Sequence, residues 1–309
     1  RYNIFDPATT RYDPDITQYV REPFPNNMVP KSRFDPLAAK IAALARAELR
    51  PNRTDVVPGT PEYWLENFWQ SGTALRPTTK FSIKFDHTLT DAHRLAFYRG
   101  YSKRETRPGP TGFNGLPGLL NSTDDLRDTS PVYRVNWDWT VSPRIHNRFN
   151  FGSNNFLDAH YPISQGGKWK EKGICIPNVP DCDSNLPIVN IADFPQWNGL
   201  GFNGSENVTY SFKDDLSWIR GKHSFKAGYL YEYAPYVGLG QQYGAGLTAY
   251  AHNATNLPGQ SNRNVAGGVA FASFLLGYSS NGRVMTPKRT DMRWRYHAMY
   301  FQDDWRVNP

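Results

Sequence analysis

The segment PVYRVNWDWTV constrains this chain more than any other part of it. Apolar and polar residues alternate there without a break. Tyr133, Val135, Trp137, Trp139 and Val141 share one parity; Arg134, Asn136, Asp138 and Thr140 share the other. Successive side chains of a β-strand point to opposite faces, so the segment reads as a strand with one apolar and one polar face. The period recurs from about residue 79 onward. TKFSIKFDHTL sets Phe81, Ile83 and Phe85 against Ser82, Lys84 and Asp86. IHNRFNFGSNN puts Phe149 and Phe151 together, and NVTYSFKDDLSWI does the same for Val208, Tyr210, Phe212, Leu216 and Trp218. HSFKAGYLYEY groups Phe225, Ala227, Tyr229, Tyr231 and Tyr233 opposite Lys226 and Glu232. MRWRYHAMYFQDDW groups Trp294, Tyr296, Ala298 and Tyr300 opposite Arg295, His297 and Met299.

These strands are long, roughly the 9–11 residues that a tilted strand needs to cross a bilayer. Very short turns join them in pairs, at TDAH, SPR and RGK. The links between pairs, 105–130, 156–205 and 237–267, are long and polar. Short turns at one end and long loops at the other is the layout of an outer-membrane barrel. A soluble antiparallel sandwich also alternates. It needs neither such long strands nor Trp and Tyr as its main apolar residues. The expected fold class is therefore all-β: part of an antiparallel transmembrane outer-membrane β-barrel, of about eight strands, with long extracellular loops and one short helix. The expected lipid-facing residues are Phe81, Ile83, Phe85, Val135, Trp137, Trp139, Tyr229, Tyr231, Trp294 and Tyr296. The expected lumen-facing residues are Lys84, Asp86, Arg134, Asn136, Asp138, Lys226, Glu232, Arg295 and His297.

Composition agrees with a wall that is apolar on one face only. Mean hydropathy is −0.63, yet the 309 residues include 18 Tyr, 18 Phe and 9 Trp. The interfacial girdles of a barrel are a natural use for so many rings. No apolar run approaches the roughly 20 residues of a spanning helix; the longest lies near VAFASFLLGY. The net charge of +7 comes from Lys and Arg scattered singly, with no basic run. That pattern suits solvated loops and lumen walls, and no nucleic-acid partner is expected.

Residues 1–78 carry no such alternation. FDPATTRYDPD and REPFPNNMVPKSRFDP are dense in turn formers, so the span reads as an irregular surface insertion, ahead of barrel strands over 79–309. One helix is expected within it at 36–49. Asp35 is its N-cap, Pro36 its first residue, and Leu37, Ile41 and Leu44 share a face. Cys175 and Cys182 lie in one Pro-rich loop, KGICIPNVPDCDSN, and are expected to form a disulfide, which an oxidising compartment would preserve. Trp64 and Trp69 in EYWLENFWQSG, and Trp197 and Phe202 in DFPQWNGLGFNG, are candidates to stack on a ligand; pinning the loops to their neighbours is the plainer role.

The chemistry-bearing motifs are weak. VGLGQQYGAG lacks the GxGxxG spacing and reads as a flexible loop. There is no GxSxG elbow, and the seven His show no metal spacing. Asp214–Asp215 and Asp303–Asp304 fall inside strands, one member to each face. No enzyme activity, catalytic residue, metal or cofactor is expected.

Several segments resemble the Oar-like TonB-dependent receptors, the acidobacterial type with a carboxypeptidase-regulatory-like domain. FDPATTR followed by PFPNNMVPKSRFDPLAAKI is similar to that group's insertion after the plug. KFDHTLTDAHRLAFYR resembles its hairpin, HSFKAGYLYEY one of its strands, and FASFLLGY and YFQDDWRVNP its later elements. The order matches across nearly the whole chain. One departure is RAELRPN after the helix, where the family shows a Tyr-Pro element. The resemblance implies an internal stretch of a barrel of about 22 strands, in the bacterial outer membrane with its loops at the cell surface. The plug and later strands would lie outside this stretch. Its implied partners are outer-membrane lipid, the TonB system acting through the plug, the remainder of the same barrel, and a bulky nutrient of unknown identity. A surface-binding, adhesive or structural protein built on the same barrel is the alternative.

Overall fold

The computed structural model describes residues 2–58, 60, 67–71, 73, 75–106, 116–122, 124–261 and 267–307. A hairpin of β1 (Arg11–Asp13) and β2 (Gln18–Val20) opens the chain, followed by helix α1 (Pro36–Glu48). The long strands are β3 (Thr78–Thr90), β4 (His93–Thr106), β5 (Asp124–Ser142) and β6 (Ile145–Pro162). After short strand β7 (Ile188–Ile191) come β8 (Asn203–Arg220) and β9 (His223–Gly240). Short β10 (Leu247–Tyr250), helix α2 (Ala270–Leu275) and short β11 (Asn281–Arg283) precede the last long strand, β12 (Lys288–Trp305). The seven long strands form one antiparallel sheet in the order β12-β9-β8-β6-β5-β4-β3. Among the described residues it is an open sheet of seven strands, against the expected number of about eight, and β3 and β12 are its edges. Among the described residues no helix is long and apolar enough to cross a membrane.

The hairpins β3–β4, β5–β6 and β8–β9 turn tightly. Arg220 pairs with His223 across two residues, and Gly221 takes φ +61. That left-handed backbone suits a two-residue hairpin, and an L side chain would be strained there. At the other end the strands run further than the alternation suggested. β5 starts at Asp124, β6 continues to Pro162 and β9 to Gly240, so the expected loops 105–130, 156–205 and 237–267 are partly strand. Strands of 18 or 19 residues exceed a tilted bilayer crossing of about 9–11. Their upper parts form a wall beyond it.

The hydrophobic core is not in this sheet. It lies among the segments between the strands, at the loop end. Ala38, Ile41 and Ala45 of α1 pack with Leu120, Trp169, Leu186, Val189, Trp197, Tyr250 and Phe274, all buried. Leu37 and Leu44, expected on the buried face of α1, are only partly buried at its margin. Asp35 caps α1 by accepting the Ala38 amide at 2.8 Å. Strands β7 and β10 pair in parallel, and β11 adds antiparallel to β10. The start of the chain is tied to the same body. The Asp35 amide donates to the Leu275 carbonyl at 2.8 Å. One guanidinium nitrogen of Arg21 donates to the carbonyls of Asn253, Ala254 and Asn256 at 3.0, 2.9 and 2.7 Å. The change of pattern near residue 78 is therefore no packing boundary. Residues 2–48 and the described loop residues of 79–309 make one cap. The expected flexible loop near VGLGQQYGAG is also ordered: Val237–Gly240 end β9, and Ala245 is buried.

Candidate functional site: the two faces of the sheet and its capped end

Directly opposed residues of antiparallel strands share a face, so the register sorts every side chain of the sheet. One row across all seven strands reads Phe85, Phe97, Val135, Phe151, Phe212, Tyr231, His297. The rings touch along it: Phe151–Phe212 at 5.1 Å, Phe212–Tyr231 at 6.2 Å and Tyr231–His297 at 4.9 Å between centroids. Phe81, Ile83, Trp137, Trp139 and Tyr229 share this aromatic face. Near the short turns, His93 stacks against Trp137 and Trp139, each at 5.7 Å. His223 stacks against Phe225 and Trp305, each at 5.5 Å. So continuous a band of exposed rings is not a surface that a protein leaves to water.

The opposite face is polar. Lys84 pairs with Asp86 at 2.9 Å, and Arg148 with Asp138 at 2.5 Å. Lys213 pairs with Asp215 at 2.8 Å. Asn136 stands between Ala96 and Asn150. Arg134 lies over the Tyr98 ring, and Lys226 is 4.0 Å from Asp304. Glu232 stands between Ser211 and Tyr296. Asp214 and Asp215 split between the two faces, as do Asp303 and Asp304.

Strand β12 corrects four assignments. Trp294 and Tyr296 lie on the polar face, opposite Ala234 and Glu232. Arg295 and His297 lie on the aromatic face, opposite Tyr233 and Tyr231. Contacts agree: the Tyr229 hydroxyl is 2.6 Å from His297 Nδ1, and the Arg295 guanidinium lies over the Tyr233 ring. The physical reason is that both parities of β12 are mixed. One carries Trp294, Tyr296 and Tyr300; the other carries Met299, Phe301 and Trp305 below its Arg and His. Alternation alone cannot orient such a strand, and pairing with β9 does.

At the loop end the polar face carries a row that the sequence did not single out: Thr78, Arg104, Asp128, Asp158, Ser205, Gly238, Thr290. Arg104 grips Asp128 through its guanidinium. His160 lies 3.2 Å from Asp158 and 3.9 Å from Asp124. Oδ1 of Asp124 and of Asp128 is buried without a hydrogen-bond partner. These residues fell in or beside the segments expected to be loops, so their shared face was not evident. No group of three or more His, Cys, Asp or Glu among the described residues is arranged to hold a metal ion.

The loop candidates take different places in and around the cap. Cys175 and Cys182 form a disulfide, with Cα atoms 5.2 Å apart. Trp197 is buried, packed edge-on against Phe274 at 5.7 Å. It cannot reach a ligand, and its role is the pinning one. Phe202 is half-buried against the Tyr161 ring at 5.2 Å. Trp69 is exposed, its backbone bonded to both side-chain atoms of Asn52. Trp64 lies outside the described residues. Elsewhere in the cap, Arg33 forks onto Asp6 at 2.9 and 3.1 Å. Burial alone would raise the Asp6 carboxyl. The hydrogen bonds from Arg33 and the Ala8 amide, with the Arg33 charge, outweigh it and hold the carboxyl below its usual range.

An open antiparallel sheet of over-long strands, ringed by aromatics on one face and laced with charge on the other, is the wall of an outer-membrane β-barrel. The chain belongs to the outer membrane beta barrel domain family, which matches it over residues 1–309. That membership places it in the bacterial outer membrane. No curated protein matches it. Among solved structures it is similar to the outer membrane transporter YddB from Escherichia coli, at 12% identity and a TM-score of 0.42, over 75% of this chain and 26% of that one. The chain thus spans about a quarter of that protein's length.

Proposed function

We propose that this chain forms part of the wall and the surface cap of a transporter that takes a bulky nutrient across the outer membrane, driven through TonB. It is not an enzyme, and its specificity resides in the polar face and the cap. The observation that carries this reading is the sidedness of the sheet. An outward aromatic face fits lipid, and a charged inward face fits a wet passage. The edges β3 and β12 need partner strands, because lipid cannot satisfy their backbone groups; the remainder of the same barrel supplies them. Likeness to the Oar-like receptors in KFDHTLTDAHRLAFYR and YFQDDWRVNP supports the TonB-dependent type. Loops that lie beyond over-long strands fit the cell surface.

The test is made in cells. Deleting the gene should abolish growth on, or accumulation of, one nutrient, and collapsing the inner-membrane proton gradient should abolish the same uptake. Uptake that survives both treatments overturns the reading in favour of a surface-binding or adhesive protein.

A further inference from the structure

Strand β12 concentrates rings on the polar face. One row there reads Lys84, Tyr98, Arg134, Gly152, Ser211 and Glu232, and β12 adds Tyr296 to it. One step toward the loop end stand Ser82, Gly100, Val132, Asn154 and Thr209, and β12 places Trp294 there. Both rings are more than half exposed, at 53% and 55%. Ala234, opposite Trp294, is too small to cover the indole. Met292 continues the line upward, and downward Ala298 intervenes before Tyr300. The Tyr300 hydroxyl is anchored by donating to Asp215 at 2.9 Å. Same-face residues on a strand recur about every 6.6–6.8 Å. The rings therefore form a ladder along the wall rather than one patch.

The ladder leads out of a cavity. A space of about 240 Å³ lies at the loop end, lined by Ser205, Tyr236, Gly238, Gln242, Lys288 and Thr290. The Tyr236 ring lies flat across Gly238, where a Cβ would sit 2.9 Å from its hydroxyl. Glycine there keeps the floor low and turns a broad ring face into the opening. Hydroxyl and amide groups rim the space. Lys288 lines the space and Asp158 stands directly opposite Ser205, so cations are not in excess there.

We infer that this ladder is a stacking track for a neutral oligosaccharide. A pyranose ring offers a face of C–H bonds that stacks on an aromatic ring, and a rim of hydroxyls that needs donors and acceptors. Trp294, Tyr296 and the flat Tyr236 supply the first; Ser205, Gln242, Thr290 and Glu232 supply the second. A strongly anionic ligand would find no matching excess of cations along the track. A chain of sugars can move stepwise from ring to ring without leaving the wall. The inference rests on the transport reading above and names its substrate class.

The test is calorimetric titration of the full-length protein in detergent with maltohexaose, cellohexaose and chitohexaose, and separately with a neutral hexapeptide. At least one saccharide should bind. Trp294→Ala should weaken it about tenfold or more, the loss typical of a central aromatic anchor. Tyr296→Ala should weaken it less, and Trp139→Ala, on the other face, should leave it unchanged. Heat-modified migration on a gel confirms that each variant is folded; Trp294→Phe, which keeps a ring, stands in should Trp294→Ala fail this check, and should recover part of the affinity. Binding of none of the saccharides, preference for the peptide, or indifference to Trp294 overturns the inference. If no sugar binds while energy-dependent uptake persists, the substrate class falls and transport stands. If sugar binds but uptake needs no energy, the reverse holds.

Discussion

Arg21 and Phe274 hold the cap by different means. Arg21 donates to three carbonyls of one tight bend. Arg21→Ala should cost the cap about 1.5–3 kcal/mol, the range for hydrogen bonds to a charged group, and should appear as faster proteolysis between residues 251 and 261. Phe274 touches Trp197, Tyr250 and Phe271. Phe274→Ala should cost about 3–5 kcal/mol, as transfer and cavity terms add, with the strands still folded by circular dichroism. Asp6 gives the pH dependence. Its carboxyl is held below the ordinary value when folded. The Arg33 pairing therefore adds stability above about pH 4 and loses it as pH falls through the lowered value. Melting of the cap in wild type minus that in Asp6→Asn should show the difference vanish below pH 4. A flat difference would show that the pair is too screened to matter.

The elements show where sequence reasoning succeeds and where it stops. Strands with one apolar and one polar parity could be oriented from the sequence: β5 declares its faces through Val135, Trp137 and Trp139 against Arg134, Asn136 and Asp138. The α1 cap was equally readable, because Asp35 and Pro36 act locally. β12 could not be oriented, since neither of its parities is purely apolar and its pairing partner lies across a long link. The Arg104–Asp128–Asp158 row was hidden for the same reason: its members meet only through register. The glycines of Tyr98-x-Gly100 and Tyr236-x-Gly238 were the available hint that rings lie flat on the polar face. The two faces can be compared directly at adjacent positions. Val135→Arg, in the middle of the aromatic band, should destabilise the barrel in detergent or lipid by about 2–4 kcal/mol. Asn136→Arg, one residue on, should be near neutral. Equal effects in urea titrations would refute the assignment of outside and inside.

For the whole molecule, the sheet supplies sidedness and the cap supplies the core. Composition announced the first through its rings but could not announce the second, because the cap draws on segments too far apart to show a period. The disulfide is part of that body. Replacing Cys175 and Cys182 by Ser should cost the cap about 2–3 kcal/mol through loop entropy. Limited proteolysis with and without reductant should reproduce the loss in the wild type alone. The exposed aromatic band makes detergent a requirement for the folded protein in solution. A form that stays monomeric without it would contradict the barrel wall.

The contact between Arg21 and the carbonyl of Asn253 spans 232 residues of chain. A ribosome and a secretion channel deliver the two ends of that contact at different times. Residues 2–48 emerge before the strands, with the apolar side of α1 uncovered until Leu120 and later segments follow, and the partners of Arg21 arrive only after six of the long strands have passed. Closure over such a separation is slow. The protein must therefore spend part of its biogenesis with an unmated sticky surface in the periplasm, and its yield will depend on whatever escorts it there.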